Sequence, residues 1–232
     1  MSDPITTDPT PPPVEKPKRV RADQDQTLAN DITEWGNFIA SAKADAEIAP
    51  LLEARGYDAA EFAQGAALLA AAGAAFDQRQ TTWGTQLAAS QFAKELLATT
   101  SDDYVGFREL ARTLFPEDAA QAGLGVSGRL PHDLGTFVTD AKASYAAGKA
   151  VPYAAKLTKR GYPPATLDGM IAALEALAKA GAEQDQAEGL ARQATARRDA
   201  AYEALKAWVT ECKATAKSTL RKQPALAKKL TL

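Results

Sequence analysis

Residues 167–220 have the sequence LDGMIAALEALAKAGAEQDQAEGLARQATARRDAAYEALKAWVTECKATAKSTL. This stretch contains no proline and is rich in Ala, Glu, Lys, Arg and Gln, which are strong helix formers. Large apolar residues recur three and four positions apart near both of its ends, at Leu167, Met170, Ile171, Leu174, Leu177, Leu205, Trp208, Val209 and Cys212. The spacing predicts an amphipathic helix with one buried face.

A second stretch, from Phe62 to Phe115, has a similar composition and a similar spacing of apolar residues. Glycines and threonines between Gly73 and Gly84 weaken its middle as a helix, so one long bent helix and two separate helices both fit. Ser101 precedes two aspartates, which is typical of a helix start and favours a second helix there. The sequence alone leaves open whether either long segment is continuous.

The composition predicts an all-α fold. Of the 232 residues, 46% are hydrophobic, many of them alanine, whereas aromatic residues make up only 7%. Small side chains let helices approach closely, and no run of alternating β-branched and polar residues indicates a strand. We therefore expect an Ala-rich helical bundle with long antiparallel helices.

Residues 1–26 are expected to form a disordered, Pro-rich leader. Its prolines, the last of them Pro17, fix φ and remove backbone donors, and the polar residues among them have nothing to bury. A helix is then predicted from about Leu28 to Ala54, and Pro50 either breaks it or starts a separate short turn.

An internal repeat is the main organising feature. Arg55-Gly56-Tyr57 matches Arg160-Gly161-Tyr162, and the apolar positions around both triplets follow the same order. We interpret this as a duplication with pseudo-two-fold symmetry. Repeat 1 covers residues 27–124, a Gly/Pro-rich connection covers 125–136, and repeat 2 covers 137–232. Chance similarity between two Ala-rich helical stretches is the alternative.

The two triplets are also the only repeated polar and aromatic cluster. Glycine can close a helix in the left-handed conformation, and the tyrosine after it can pack back on the last turn. In a functional interpretation, Arg55 and Arg160, with Tyr57 and Tyr162, bind an anion or a partner peptide at symmetric positions. In the structural alternative, the arginines only complement the carboxyl ends of helix dipoles.

No pattern of catalytic or metal-binding residues emerges. His132 is the only histidine and Cys212 the only cysteine, so paired Glu-x-x-His motifs and Cys-rich zinc sites are excluded by count. The run from Gly123 to Gly128 has the letters of a Gly-x-Gly-x-x-Gly motif, but it lacks a preceding strand, so a flexible hinge is the better interpretation. We expect no catalytic residue, no metal and no cofactor.

Membrane insertion and secretion are not expected either. The longest apolar candidate, residues 62–76, is shorter than the roughly 18 to 20 residues that cross a bilayer and contains Gln64. The start of the chain lacks the pattern of a secretory signal. These features predict a cytoplasmic protein without a transmembrane segment. The single cysteine, Cys212, lies on an apolar stripe and is interpreted as a small buried side chain, with a reactive thiol as the alternative.

Charge is distributed unevenly although the net charge is only −2. Residues 23–118 hold 16 acidic and 6 basic residues, a balance of −10, whereas residues 190–232 hold 3 acidic and 10 basic residues, a balance of +7. The basic end either binds nucleic acid or an anionic surface or meets the acidic first half of the same chain. The candidate contacts for an anion are Lys213, Lys217, Arg221, Lys222, Lys228 and Lys229.

Together these features predict a non-catalytic, structural or protein-interaction protein. It is expected to bind a protein partner or to self-associate, and the sequence identifies no small-molecule substrate. Binding to nucleic acid or to an anionic surface through the basic C-terminal helix is the alternative.

Overall fold

A computed structural model describes the backbone of residues 18–230 and the side chains of residues 25–230. Helix accounts for 83% of the structure, and the described residues contain no strand. The predicted all-α class is therefore confirmed. Residues 1–17, which hold most of the predicted leader, lie outside the described part.

The chain forms two very long helices and several short ones. In order they are α1 (Lys18–Ala44), α2 (Ala49–Glu53), α3 (Ala59–Leu114), α4 (Asp118–Gly123), α5 (Leu134–Gly148), α6 (Ala154–Thr158), α7 (Pro164–Thr219) and α8 (Pro224–Lys229). A single 3₁₀ turn, Leu220–Lys222, connects α7 to α8.

The first helix starts earlier than predicted. Residues 18–26 belong to α1, so the prediction of disorder is wrong for this part of the leader. The last proline of the leader is Pro17, and the residues after it include several good helix formers. Tertiary contact adds support, because the guanidinium of Arg198 lies 2.7 Å from the carboxylate of Asp25.

The first helix also ends earlier than predicted. The carboxylate of Asp45 accepts hydrogen bonds from the backbone N–H groups of Glu47 (2.9 Å) and Ile48 (3.1 Å). An aspartate that captures nearby backbone donors in this way favours a turn over a continued helix. Pro50 then lies at the start of α2, where its missing N–H costs nothing.

Both long segments are continuous helices of 56 residues. The predicted restart at Ser101 is wrong, because this residue lies inside α3. The polar middle of α3 is also helical, and its threonine hydroxyls donate to carbonyls one turn earlier, for example Thr81 to Asp77 (3.1 Å). Helix α7 begins at Pro164, the second proline of the Pro163-Pro164 pair, and proline is favoured as the first residue of a helix.

The chain divides into two compact units. Among the described residues, unit 1 comprises 18–76 and 198–230, and unit 2 comprises 77–197. This division differs from the predicted one, because the Gly/Pro-rich connection lies inside unit 2. The reason is the continuity of α3 and α7, each of which contributes one section to each unit.

Unit 1 is built around Trp208 of α7. The rings of Tyr57 and Phe62 lie 5.8 Å and 6.2 Å from the Trp208 ring, and the indole N–H donates to Glu61 Oε1 at 2.8 Å. Gly65 allows this packing, because a Cβ at this position would lie 2.5 Å from the indole. Leu52, Leu205 and Cys212 are fully buried in the same core.

Unit 2 has an aromatic core with a polar centre. The rings of Tyr104 and Phe107 lie 5.7 Å and 4.9 Å from that of Tyr145 in edge-on contacts. The Tyr104 hydroxyl is hydrogen-bonded to Ser144 Oγ at 2.9 Å, and Ser144 in turn donates to the carbonyl of Gly125 at 3.2 Å. This chain of bonds connects α3 and α5 to the loop that follows α4.

Candidate functional site

The two Arg-Gly-Tyr triplets form nearly identical turns. Gly56 has a φ of 92° and Gly161 a φ of 93°, both in the left-handed region. The N–H of the tyrosine that follows donates to the carbonyl of Leu52 in the first turn and of Leu157 in the second, at 3.0 Å in both. The predicted helix-closing role of these glycines is confirmed.

The side chains of the triplets do not form matching polar sites. Arg55 and Arg160 are both exposed, and neither has an ion pair within the described part of the chain. Tyr57 is buried, its ring packs against those of Phe62 and Trp208, and burial raises its pKa to about 12. A shallow cavity of about 420 Å³ lies beside Arg55, lined also by Ala214, Thr215, Ser218 and Thr219. Symmetric binding of an anion or a partner peptide at the two triplets stays a prediction.

A second cavity in unit 1, which we call the α1–α8 cavity, combines charged and apolar walls. It has a volume of about 320 Å³ and is lined by Glu34, Asn37, Phe38, Ser41, Lys213, Lys229 and Leu230. The sequence pointed to only the two lysines. The α1 residues lie more than 170 positions away from them, and no local pattern indicates such a contact.

Lys213 occupies the wall of this cavity with its charge already neutralised. Its Nζ lies 2.9 Å from Glu34 Oε1 and 5.4 Å from the centre of the Phe38 ring. An ammonium over an aromatic face gains a cation–π contact. Lys213 therefore binds α1 through both an ion pair and a cation–π contact.

Lys229 forms ion pairs with two carboxylates of the turn between α1 and α2. Its Nζ lies 2.7 Å from Glu47 Oε2 and 3.1 Å from Asp45 Oδ2. These carboxylates raise the pKa of Lys229. The Glu47 backbone N–H and then Lys229 hold the pKa of Asp45 below its ordinary value. For these two of the six candidate cations, the basic end of the chain does meet the acidic first half.

The other four cations remain available. Lys217, Arg221, Lys222 and Lys228 are exposed, and among the described residues none of them has an ion pair or a hydrogen-bonded side-chain partner. They lie on the last turn of α7, in the 3₁₀ turn and on α8.

The glycine-rich loop is held by two arginines of α3. Arg108 Nη2 donates to the carbonyls of Val126 (3.1 Å) and Gly128 (2.8 Å). Arg112 donates to the same two carbonyls, at 2.8 Å from Nε and 2.9 Å from Nη2. Burial, and then the nearby Arg112, lower the pKa of Arg108. These hydrogen bonds hold the loop in place through its carbonyls, whereas its glycines had predicted a flexible hinge. No sequence pattern had indicated that Arg108 and Arg112 would bind the loop.

The remaining titratable candidates lie apart from one another. His132 is exposed in the connection before α5, and the described residues contain no group of three or more His, Cys, Asp or Glu that could hold a metal ion. Cys212 is completely buried, and burial raises its pKa to about 12. A thiol in this environment is protonated at neutral pH and unreactive.

Large apolar side chains are exposed on the sections of α3 and α7 that belong to unit 2. Leu87 and Phe92 are each 53% exposed, Leu97 is 40% exposed and Leu190 is 48% exposed. In residues 80–103 of α3 and 178–197 of α7, the buried positions are all small residues: Ala93, Thr100, Ala180, Ala187, Ala191 and Ala194. Larger side chains therefore lie on the outside of this part of the unit.

The apolar character of α3 also bears on the membrane prediction. Among the described helices, α3 contains a window of 18 residues that is long and apolar enough to cross a membrane, and 17% of that window is buried. Buried core helices and helices that contact lipid both meet this criterion, so it does not decide between them.

Comparison with protein-family models, with curated proteins and with solved structures found no match. The function of the chain is therefore inferred from its own residues. Those suited to bind another molecule are the lining of the α1–α8 cavity and of the cavity beside Arg55, the four available cations, and the exposed apolar side chains of α3 and α7.

Proposed function

We propose that this chain is a non-catalytic protein-interaction protein whose long helices bind a protein partner or a second copy of the chain. The observation that carries the proposal is the exposure of Leu87, Phe92, Leu97 and Leu190. A partner that covers such side chains removes their apolar area from water, which favours association. Full burial of a Leu or Phe side chain contributes about 1.5 to 3 kcal/mol, so covering the exposed half of each contributes roughly 1 kcal/mol.

The test is the oligomeric state of the 24.5 kDa chain in solution. In sedimentation velocity, we expect a species larger than the monomer, either alone or with a co-purified protein. The triple variant Leu87→Gln, Phe92→Gln, Leu97→Gln is expected to shift the population to monomer, because each substitution removes apolar area from the contact. Val151→Gln is the control, since Val151 is 92% exposed but lies in the turn before α6. A monomeric wild-type chain without a partner would contradict the proposal.

We also infer that the two repeats are copies of one helical module. Residues that align at an offset of 99 positions before the triplets and of 105 or 106 around and after them are buried in both repeats: Phe38 with Phe137, Ile39 with Val138, Ala42 with Ala141, Leu52 with Leu157, Phe62 with Leu167, Phe107 with Cys212, Ala111 with Ala216, and Leu124 with Leu230. Equal geometry at Gly56 and Gly161 supports the same inference. Matched burial at matched positions favours duplication over chance similarity of composition.

An antiparallel arrangement of the long helices is part of this proposal. In unit 1 the start of α3 contacts the later part of α7, because Glu61 accepts a hydrogen bond from Trp208. In unit 2 Phe107, near the end of α3, shares a core with Leu167, near the start of α7. The early part of each long helix thus packs in the same unit as the late part of the other, which supports opposite directions.

Lys217, Arg221, Lys222 and Lys228 favour a second candidate function, binding to nucleic acid or to an anionic surface. If all four contact phosphates of duplex DNA, the affinity should fall roughly 100-fold between 50 and 200 mM salt. Fluorescence anisotropy with mixed-sequence DNA measures this, and a variant with Gln at the four positions should lose the binding. Absence of binding at 50 mM salt would exclude this function for DNA.

We place the protein in the cytoplasm as part of the same proposal and assign the apolar surface of α3 to protein contact. Support comes from its composition, because α3 is apolar mainly through alanine, which gains little from contact with lipid. Flotation with liposomes tests this assignment. Recovery of the chain in the lipid fraction after a carbonate wash would contradict it.

A further inference from the structure

The cavity beside Arg55 in unit 1, which we call the Arg55 cavity, has the lining of an anion site. Its volume is about 420 Å³, and it is lined by Arg55, Ala214, Thr215, Ser218 and Thr219. The lining thus contains a guanidinium and three hydroxyls but no carboxylate. The acidic residues nearest to it in sequence, which are Glu53, Asp58 and Glu211, are not part of the lining.

Two polar groups of this lining are free to bind a ligand. Among the described residues, neither the Arg55 guanidinium nor the Ser218 hydroxyl has a hydrogen bond or an ion pair. The Thr219 hydroxyl differs, because it donates to the carbonyl of Thr215 at 2.9 Å. A guanidinium has paired N–H donors that match two oxygens of one anion, and a serine hydroxyl adds a further donor.

The charged residues on the α7 side of the cavity are all basic. Residues 212–232 contain six basic residues and no acidic one. Arg221 and Lys222 are exposed and follow Ser218 by three and four positions, which is about one helical turn. The carbonyl end of α7 contributes only about half a negative charge against them. This end of the cavity therefore favours a doubly charged phosphate monoester over a single carboxylate.

The second repeat has no equivalent of this lining. Arg55 corresponds to Arg160 at an offset of 105 positions, and at the same offset the four lining residues of α7 correspond to Glu109, Leu110, Thr113 and Leu114. One acidic and two apolar side chains thus replace an alanine and two hydroxyls. The hydroxyl of Thr113 is retained, but it donates to the carbonyl of Glu109 at 3.0 Å.

The flanking cations are also missing from the second repeat. Arg221 and Lys222 correspond to Pro116 and Glu117. Two copies of one module need the same packing, so the basic and hydroxyl groups of the first repeat are not required by the fold. Their presence in one copy alone indicates a binding role. This comparison rests on the duplication proposed above, whereas the Arg55 cavity itself does not.

We propose that the Arg55 cavity binds a phosphate group, carried by a small phosphate monoester or by a phospholipid headgroup. The guanidinium of Arg55 donates to two phosphate oxygens, and the hydroxyl of Ser218 donates to a third. Arg221 and Lys222 attract the anion over a longer distance. The site is separate from the apolar side chains proposed for protein contact, and it excludes the symmetric binding that the two triplets had suggested.

The first experiment locates the site with inorganic phosphate as the probe. Sodium phosphate is added at about pH 8, where a phosphate is largely a dianion, to the full chain labelled with ¹⁵N, while sodium chloride keeps the ionic strength constant. We expect saturable chemical-shift changes at Arg55, Ser218 and Thr219 and none at Arg160. Absence of saturable changes, or equal changes at both triplets, would overturn the proposal.

Matched variants test the two assigned donors. Arg55→Gln is expected to weaken phosphate binding roughly tenfold or more, whereas Arg160→Gln removes the corresponding exposed arginine and leaves the affinity unchanged. Ser218→Ala is expected to weaken binding roughly threefold, and Thr113→Ala is its control. Equal affinities of Arg55→Gln and Arg160→Gln, once circular dichroism shows both to be folded, would refute the role of Arg55.

A further comparison identifies the source of the phosphate. Saturable binding of glycerol 3-phosphate at Arg55 would indicate a soluble monoester. Cosedimentation with phosphatidylcholine vesicles that contain phosphatidic acid, lost in Arg55→Gln, would indicate a lipid headgroup. The absence of both results would overturn the proposal. The DNA test is independent, because the variant with Gln at positions 217, 221, 222 and 228 keeps Arg55 and Ser218 and should still bind phosphate, with lower affinity.

Discussion

At the scale of single residues, the core of unit 2 contains two tyrosines in contrasting situations. Tyr104 and Tyr145 are each 1% exposed and their rings are in contact. The Tyr104 hydroxyl is hydrogen-bonded to Ser144, whereas the Tyr145 hydroxyl has no hydrogen-bond partner among the described residues. Burial raises the pKa of Tyr145 far above its ordinary value. A buried hydroxyl without a partner costs about 1 to 3 kcal/mol.

These two residues give a matched pair of substitutions. Tyr104→Phe is expected to lower the free energy of unfolding by about 1 kcal/mol, because it removes a satisfied hydrogen bond. Tyr145→Phe is expected to raise it by up to about 1 kcal/mol, because it removes only the desolvated hydroxyl. Urea unfolding followed by circular dichroism measures both. An equal loss in the two variants would mean that the Tyr145 hydroxyl does contribute a bond.

At the scale of elements, the turns that precede the long helices depend on one backbone conformation. Gly56 closes α2 before α3, and Gly161 closes α6 before α7, both with positive φ. A side chain at such a position costs roughly 1 to 2 kcal/mol even where space is available, and no atom lies within 4 Å of a Cβ placed at either glycine. The cost of substitution is therefore one of backbone conformation alone.

Alanine substitutions separate this effect from ordinary helix propensity. Gly56→Ala and Gly161→Ala are each expected to destabilise the chain by about 1 kcal/mol or more. Gly73→Ala is the control. Gly73 lies inside α3, with no atom within 4 Å of an added Cβ, and its substitution should stabilise the chain by up to about 1 kcal/mol. A neutral result at Gly56 and Gly161 would show that the turns tolerate another conformation.

Elements also show where sequence patterns mislead. The serine and aspartates at 101–103 resemble a helix start, yet they lie within α3. A capping residue acts only where the helix has free N–H groups, and inside α3 those groups are already bonded to carbonyls one turn back. The glycine-rich loop is a second example, because its glycines predict flexibility. Hydrogen bonds from Arg108 and Arg112 of α3 hold this loop in one conformation.

At the scale of the whole molecule, stability is expected to decline at high pH. Burial raises the pKa of Cys212 from its ordinary value of 9.0 to about 12, and that of Tyr57 from 10.0 to about 12. Both groups are acids whose neutral form is favoured in the folded state. Their contribution to the free energy of unfolding is complete below pH 9, where the thiol of the unfolded chain is still protonated. This contribution is lost as the pH rises through 12.

Urea midpoints measured between pH 8 and pH 10.5 test this expectation. The midpoint of the wild-type chain should fall as the pH rises above 9. In Cys212→Ala the decline should be smaller between pH 9 and 10, since the first group to ionise in the unfolded chain has been removed. The absolute midpoint of the variant should also be lower at pH 8, because a buried group has been deleted. Identical slopes for both proteins would contradict a buried, protonated thiol.

The sequence by itself determined the helical class, the helix-closing glycines of the two triplets and the start of α7 at the Pro163-Pro164 pair. These features depend on neighbours within a few residues, where propensity, periodicity and capping act. It also contained the matches that support a duplication. Local rules were less informative about boundaries, as the early start of α1 at Lys18 shows.

Only the tertiary structure decided how the parts combine. It joined the start of one long helix to the end of the other within each unit, placed Lys213 against Glu34 and Phe38, and fastened the glycine-rich loop with arginines. Each of these contacts connects residues that no local pattern relates. Their formation depends on burial and charge pairing between distant segments, whose energies exist only after the helices have packed.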